Sequence, residues 1–207
     1  MAEVGRSDTV AARRASRAAQ EQHDSRRQAI VEAAAAAIEQ HGNDAALGVI
    51  AEQAGVPRPH VYRYFESKDE LDLEVARHAT RRLRATIRPA LYARGAPRGI
   101  IRGIITVVLD WAARHPNLYR FRVRLGPSAA IPEFLDAVGA FLRDNGRSGT
   151  LPAQAVAAII GLIDASVLWW LDHPRELTAA DLTDRLGAQV WLVFSAAMRE
   201  ADISLES

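Results

Sequence analysis

The sequence predicts an all-α protein, because apolar residues recur at helical spacing along nearly the whole chain and no stretch alternates as a half-buried strand would. Glycines and prolines punctuate the periodic runs where helices should stop. With 207 residues, 49% hydrophobic and 25% charged, the chain is long enough for one or two compact domains.

Several function classes fall away on composition. Cysteine is absent, so no disulfide framework, thiolate nucleophile or Cys-zinc site is available, which suits a reducing cytoplasm. The N-terminus has no apolar signal core. The longest apolar run, residues 155–171, is interrupted by Asp164 and falls short of the ~20 residues that span a bilayer, so it reads as a buried helix. The expected location is cytoplasmic, with no membrane partner. His23, His41, His60, His78, His115 and His173 show no metal-ligand spacing, and no nucleophile elbow, phosphate loop or dinucleotide fingerprint is present. Neither catalysis nor a metal or cofactor is expected.

Net charge is only +1, so the placement of charge matters more than its sum. Arg6, Arg13, Arg14, Arg17, Arg26 and Arg27 cluster near the N-terminus, and residues 1–24 read as a flexible arginine-rich arm. Such an arm either lies along phosphates or is a solvated tail, since Glu3, Asp8, Glu21 and Asp24 dilute it. A first helix over about residues 25–41 carries Ile30, Ala33, Ala34 and Ile38 as its core stripe.

The next segment is the most specific in the chain. Leu47, Ile50, Ala51 and Ala54 recur at helical spacing, and Gly55 supplies a left-handed residue that ends the helix before Val56 turns inward. A short helix over residues 58–64 tolerates Pro59 because the first amides of a helix have no intrahelical acceptor to lose. Val61 and Phe65 point inward at i, i+4, leaving Arg58, His60, Tyr62, Arg63 and Tyr64 for base edges and phosphates of a major groove. Ser67 then caps a further helix, with Glu70 three residues on as a capping box. Together these form a helix-turn-helix.

The run Ile50-Ala51 to Gly55-Val56, followed by Tyr62-x-Tyr64-Phe65-x-Ser67-Lys68-x-x-Leu71, resembles the DNA-binding signature of the tetracycline-repressor (TetR) family. Arg27-x-x-Ile30-Val31-x-Ala33-Ala34 and Gly42 extend the resemblance, which covers about residues 25–75. It implies DNA contacts from Arg27, Arg58, Pro59, His60, Tyr62, Arg63, Tyr64 and Lys68, the last being the single lysine of the chain. The chain departs from the family in having Ala45 and Ala46 where a hydroxyl usually stands, and Pro57 where a Ser cap is usual. The expected domains are the arm 1–24, a DNA-binding domain 25–70, and a ligand-binding and dimerisation domain 71–207.

In that last domain a helix over 68–88 should end at Pro89, followed by helices over 98–115, 117–124, 132–143, 152–173 and 178–200. The final two helices are apolar over more than one face, more than a chain this size can cover. The resemblance implies a homodimer through these helices, with Leu186, Val190 and Val193 expected at the interface. Asp164 lies mid-helix among aliphatic residues and must reach water, a cation or a cavity; Arg122 and Arg124 are the nearest candidates in type. With Trp111, Tyr119, Phe134, Phe141 and Trp169 they suggest an aromatic pocket with few polar groups, the usual make-up of a small-molecule site; a structural ion pair or a dimer-face carboxylate is the alternative.

The resemblance thus implies a dimeric transcriptional regulator, a repressor released from a palindromic double-stranded DNA operator by a small-molecule effector. An effector-independent DNA-binding protein would lack the pocket, and an all-helical enzyme or carrier would ignore DNA.

Overall fold

The computed structural model describes residues 4–124, 126 and 130–203, and these divide into two compact units, Met1–Val75 and Ala76–Ser207. All regular structure among the described residues is helical.

The first unit holds α1 (Val4–His41), α2 (Leu47–Gln53), α3 (Arg58–Val61) and the opening turns of α4 (Lys68–Leu91). Its core joins Ile30, Val31, Ala34 and Ile38 of α1 to Ile50 and Ala51 of α2, with Val61, Phe65, Leu71 and Val75 closing it. Gly55, at φ 65°, ends α2. Val56 N–H donates to Ala51 C=O at 3.0 Å and Gly55 N–H to Glu52 C=O at 3.0 Å. This pair of bonds satisfies carbonyls the helix end would otherwise orphan.

The N-terminal segment differs from expectation. In place of a flexible arm over residues 1–24, α1 begins at Val4 and continues into the core helix. Ala, Arg, Gln and Glu are strong helix formers, and pairs one turn apart reinforce them. Arg17 Nε donates to Glu21 Oε1 at 2.8 Å, and Gln20 Nε2 to Asp24 Oδ1 at 2.9 Å. Residues 1–3 and the Arg6 side chain lie outside the described residues.

The second unit comprises the remainder of α4 with α5 (Pro97–Arg114), α6 (Pro116–Val123), α7 (Ile131–Asp144), α8 (Ala153–Asp172) and α9 (Ala179–Glu200). Helix α5 packs on α6, α8 and α9, and α8 on α6, α7 and α9. Ile105, Leu109, Tyr119, Phe121, Leu142, Val156, Leu186 and Val190 are all buried there. Helix α4 does not stop at Arg88: it carries Pro89 inside its last turn and runs to Leu91. A proline there removes a single hydrogen bond to the preceding turn, and the helix ends two residues later.

Helix α8 spans 20 residues, longer than the apolar run foretold, and by length and composition it is long enough to cross a membrane. Its buried face, Val156, Ile159, Ile163, Asp164 and Val167, is covered by neighbouring helices and includes a carboxylate, as expected of a core helix.

Leu186 and Val190, expected at a dimer interface, are instead 0% and 3% exposed within the single chain, where α9 packs on α5. Val193 is half-buried. The helical period of α9 was legible, but its phase depended on which face α5 would occupy. The outward faces show Leu192 at 67% and Trp169 at 43% exposure, with Ala158, Gly161, Ala165, Ala188 and Ala196 also exposed.

Candidate functional site

The head presents its polar groups by burying their neighbours. Val61 and Phe65 are 1% and 2% exposed, which leaves Arg58, Pro59, His60, Tyr62 and Arg63 exposed and Tyr64 half-buried. Helix α3 is a single turn and ends at Val61, not at Tyr64. Tyr62, Arg63 and Tyr64 ride on the turns that follow, held by Arg63 N–H to His60 C=O at 3.1 Å and Tyr64 N–H to Val61 C=O at 3.0 Å. The Tyr64 ring packs against His23 of α1, 4.9 Å between centroids. Neither Ala46 before α2 nor Pro57 before α3 offers a side-chain cap, as their chemistry dictates.

The two cations flanking this surface are engaged to different degrees. Lys68 Nζ donates to Asp72 Oδ1 at 2.5 Å, one turn along α4. An ammonium has two further N–H groups for a phosphate. Arg27 is held inside the head: Nη2 donates to Glu70 Oε1 at 3.0 Å, Nη1 lies 3.5 Å from Glu74 Oε2, and the guanidinium sits 4.6 Å from the Phe65 ring centroid. Two carboxylates and an aromatic face thus brace the guanidinium, while part of the side chain stays in solvent.

Ser67 Oγ accepts from Glu70 N–H at 3.1 Å, while Glu70 Oε2 accepts at 2.6 Å from the backbone of Glu66 instead of Ser67. The capping box is therefore shifted by one residue on its return side. The Glu66 amide, and then Arg27, hold the Glu70 carboxyl below the ordinary carboxylate range.

In the body, Asp164 meets Arg122 and not Arg124, whose guanidinium lies over Phe121 at 4.6 Å. Arg122 Nη2 and the Tyr119 hydroxyl both donate to Asp164 Oδ1, the latter at 2.7 Å. Arg122 and Asp164 are 7% and 6% exposed. Burial above all pushes the Tyr119 phenol up, and the Asp164 carboxylate adds to the rise, so Tyr119 remains a neutral O–H donor.

Arg122, Asp164 and Phe134 line a cavity of about 70 Å³ whose wall includes Thr80, Leu83, Arg84, Ile87 and Leu91 of α4. Glu133 lines it too, ion-paired to Arg84 at 2.5 Å. A second cavity of about 50 Å³ is apolar and contains Phe141; the two share Leu91, Ile104 and Phe134. Trp111 and Tyr119 belong to the adjoining core, their rings 6.2 Å apart, and line neither cavity. Trp169 faces outward, stacked on His173 at 4.6 Å, and lines neither of these two cavities.

The model of bacterial regulatory proteins of the tetR family matches residues 30–75, the helix-turn-helix just described. The head belongs to the tetR family. With it comes the coarse function, DNA binding in transcriptional regulation. A tetR-family regulator from Streptomyces coelicolor aligns with a TM-score of 0.66 at 19% identity, over 86% of this chain and 84% of its own. FadR from Bacillus subtilis, solved with stearoyl-CoA, aligns at TM-score 0.55 and 18% identity, over 81% and 97%. RolR, solved with resorcinol, aligns at 0.59 and 14%, over 87% and 96%. The likeness extends the tetR-family fold through the body.

Sequence reasoning missed the contribution of α4 to the cavity. Thr80, Leu83, Ile87 and Leu91 follow the i, i+3, i+7 spacing of one helical face, and that signal was present. Glu133 gave none, since a carboxylate in a first helical turn is ordinary at a surface.

Proposed function

We propose that this tetR-family protein is a homodimeric repressor that leaves a palindromic operator when a small molecule fills the body cavity. The observation that carries this reading is the continuity of α4: it starts at Lys68 beside the DNA-reading residues and ends as a wall of the cavity, from Thr80 to Leu91. A ligand that fits one position of α4 better than another shifts the spacing of two heads by the difference in its affinity. FadR and RolR, of similar fold, were each solved with a small molecule, which supports a ligand-responsive reading.

DNA is read through Arg58, His60 and Arg63, with Pro59 approaching the groove and Tyr62, Tyr64 and Lys68 on phosphates. The dimer forms through the outward faces of α8 and α9, where Leu192 and Trp169 stand exposed among small residues. Two copies place two heads on successive major grooves, which is why the operator is palindromic.

The test is to recover genomic fragments retained by the protein and footprint them. A palindrome with half-sites about one helical turn apart, or a multiple, is the expected result. Protection of a single, unrepeated half-site would overturn the dimeric reading. Retention insensitive to every compound that stabilises the body would favour an effector-independent regulator.

A further inference from the structure

The cavity beside Arg122 and Asp164 is lined by a residue with one buried polar atom that the fold itself does not use. Arg122 is buried, yet its Nε–H has no acceptor among the described residues. An unmet buried donor is unfavourable, and an acceptor supplied from outside the fold relieves it. Asp164 accepts both of its bonds, from Arg122 and Tyr119, on Oδ1, so neither falls on Oδ2. Both residues line the cavity.

Charge and size narrow the occupant further. The charged residues of the wall are Arg84, Arg122, Glu133 and Asp164, and they balance as two ion pairs. A ligand ion would therefore enter without a counter-charge, which is strongly disfavoured in an apolar site. The rest of the wall is chiefly Leu83, Ile87, Leu91, Ile104, Phe134 and Ile160. The two adjoining cavities, about 70 and 50 Å³, leave room beside Arg122 and Asp164 for a single small ring, since an apolar cavity of about 150 Å³ holds benzene; the apolar one shares Leu91, Pro97, Ala137 and Phe141 with an open cleft of about 730 Å³ farther from the ion pair.

Resting on the ligand-responsive reading above, we infer that the effector is an uncharged single-ring molecule bearing a hydroxyl, which accepts from Arg122 Nε–H and donates to Asp164 Oδ2. One hydroxyl meets both needs, being at once donor and acceptor. The ring lies against Phe134 and the aliphatic wall contributed by α4.

The experiment is a calorimetric and thermal-shift titration of the full chain with three probes of similar size: phenol, toluene and benzoate, at a pH where phenol is neutral. Phenol should bind about tenfold or more tighter than either of the others and raise Tm. Arg122→Lys keeps a cation for Asp164 but removes the Nε–H; it should bring phenol down to the level of toluene while toluene binding persists. Should that variant not fold, Phe134→Ala in the same cavity should weaken phenol and toluene alike, against an unchanged response in Trp169→Ala. Toluene binding as tightly as phenol, benzoate binding tightest, or no probe binding would each overturn the inference. Operator binding measured in the same samples separates the two readings. Phenol that binds as expected without releasing operator sinks the switch and leaves the ligand class standing. Release of operator by toluene or benzoate alone sinks the ligand class and leaves the switch standing.

Discussion

Arg27 in the head and Arg122 in the body each hold a carboxylate, yet Arg27 leaves 29% of its side chain in solvent and Arg122 only 8%. The chemistry is the same and the consequence differs. Water and salt around Arg27 share the load with Glu70, so either partner can be lost at small expense. Around Arg122 no solvent is available, and Asp164 and Tyr119 must do all the compensating. The comparison teaches that a polar residue in the head is judged by what it leaves free, whereas one in the body is judged by what it lacks.

The sharpest way to break the comparison is Asp164→Ala, which strands the Arg122 cation in the body. It should destabilise that unit by about 3–5 kcal/mol in chemical denaturation, and the double replacement Arg122→Met with Asp164→Leu should recover most of the loss. A loss below 1 kcal/mol would mean that Arg122 reaches water after all. Leu186→Ala should come next, at about 2–5 kcal/mol, because Leu186 is fully buried within one chain. Leu192→Glu, six residues along the same helix but outward, should instead leave the monomer folded and abolish the dimer in sedimentation. If the two variants exchanged their effects, the phase of α9 described here would be wrong.

The head answers in smaller increments. Arg58→Ala should relax base preference at one position of each half-site by roughly 1–3 kcal/mol, read by selection from random DNA. The pair Tyr62→Phe and Lys68→Ala should weaken binding to all sequences alike and flatten the salt slope by about 0.9 per lost phosphate contact. A changed sequence preference at constant slope would reassign both to base reading. The smallest effect concerns pH. The Glu70 carboxyl is depressed in the folded head, so its stabilisation is complete above the ordinary carboxylate range and fades as pH falls through its folded value. Glu70→Gln should therefore reduce the acid dependence of head stability, and an identical pH profile would contradict the assignment.

The same contrast explains what was legible beforehand. Gly55, Phe65 and Ser67 act through residues a few positions away, so type and spacing were sufficient to place them. Helices α5 to α9 could be bounded within a residue or two for the same reason, since Pro97, Pro116 and Gly146 signal locally. Facing was another matter. Trp169 on α8 and Leu186 on α9 are both apolar in character, and only the packing of neighbouring helices against each decides that one is exposed and the other buried. The arm misled for a related reason: arginine-rich polar sequence is compatible with a solvated coil or an exposed helix, and i,i+4 pairs such as Arg17–Glu21 tip it to helix.

Lys68 has one more consequence. Every other cationic side chain that could meet DNA is a guanidinium or an imidazole, so an amine-directed reagent has a single side-chain target in the whole chain, at the first turn of α4. Acylation there would remove the charge that pairs with Asp72 and, in the function proposed above, meets phosphate, so that bound operator would shield it. The rate of that one modification is thus a label-free gauge of how much of the protein sits on DNA.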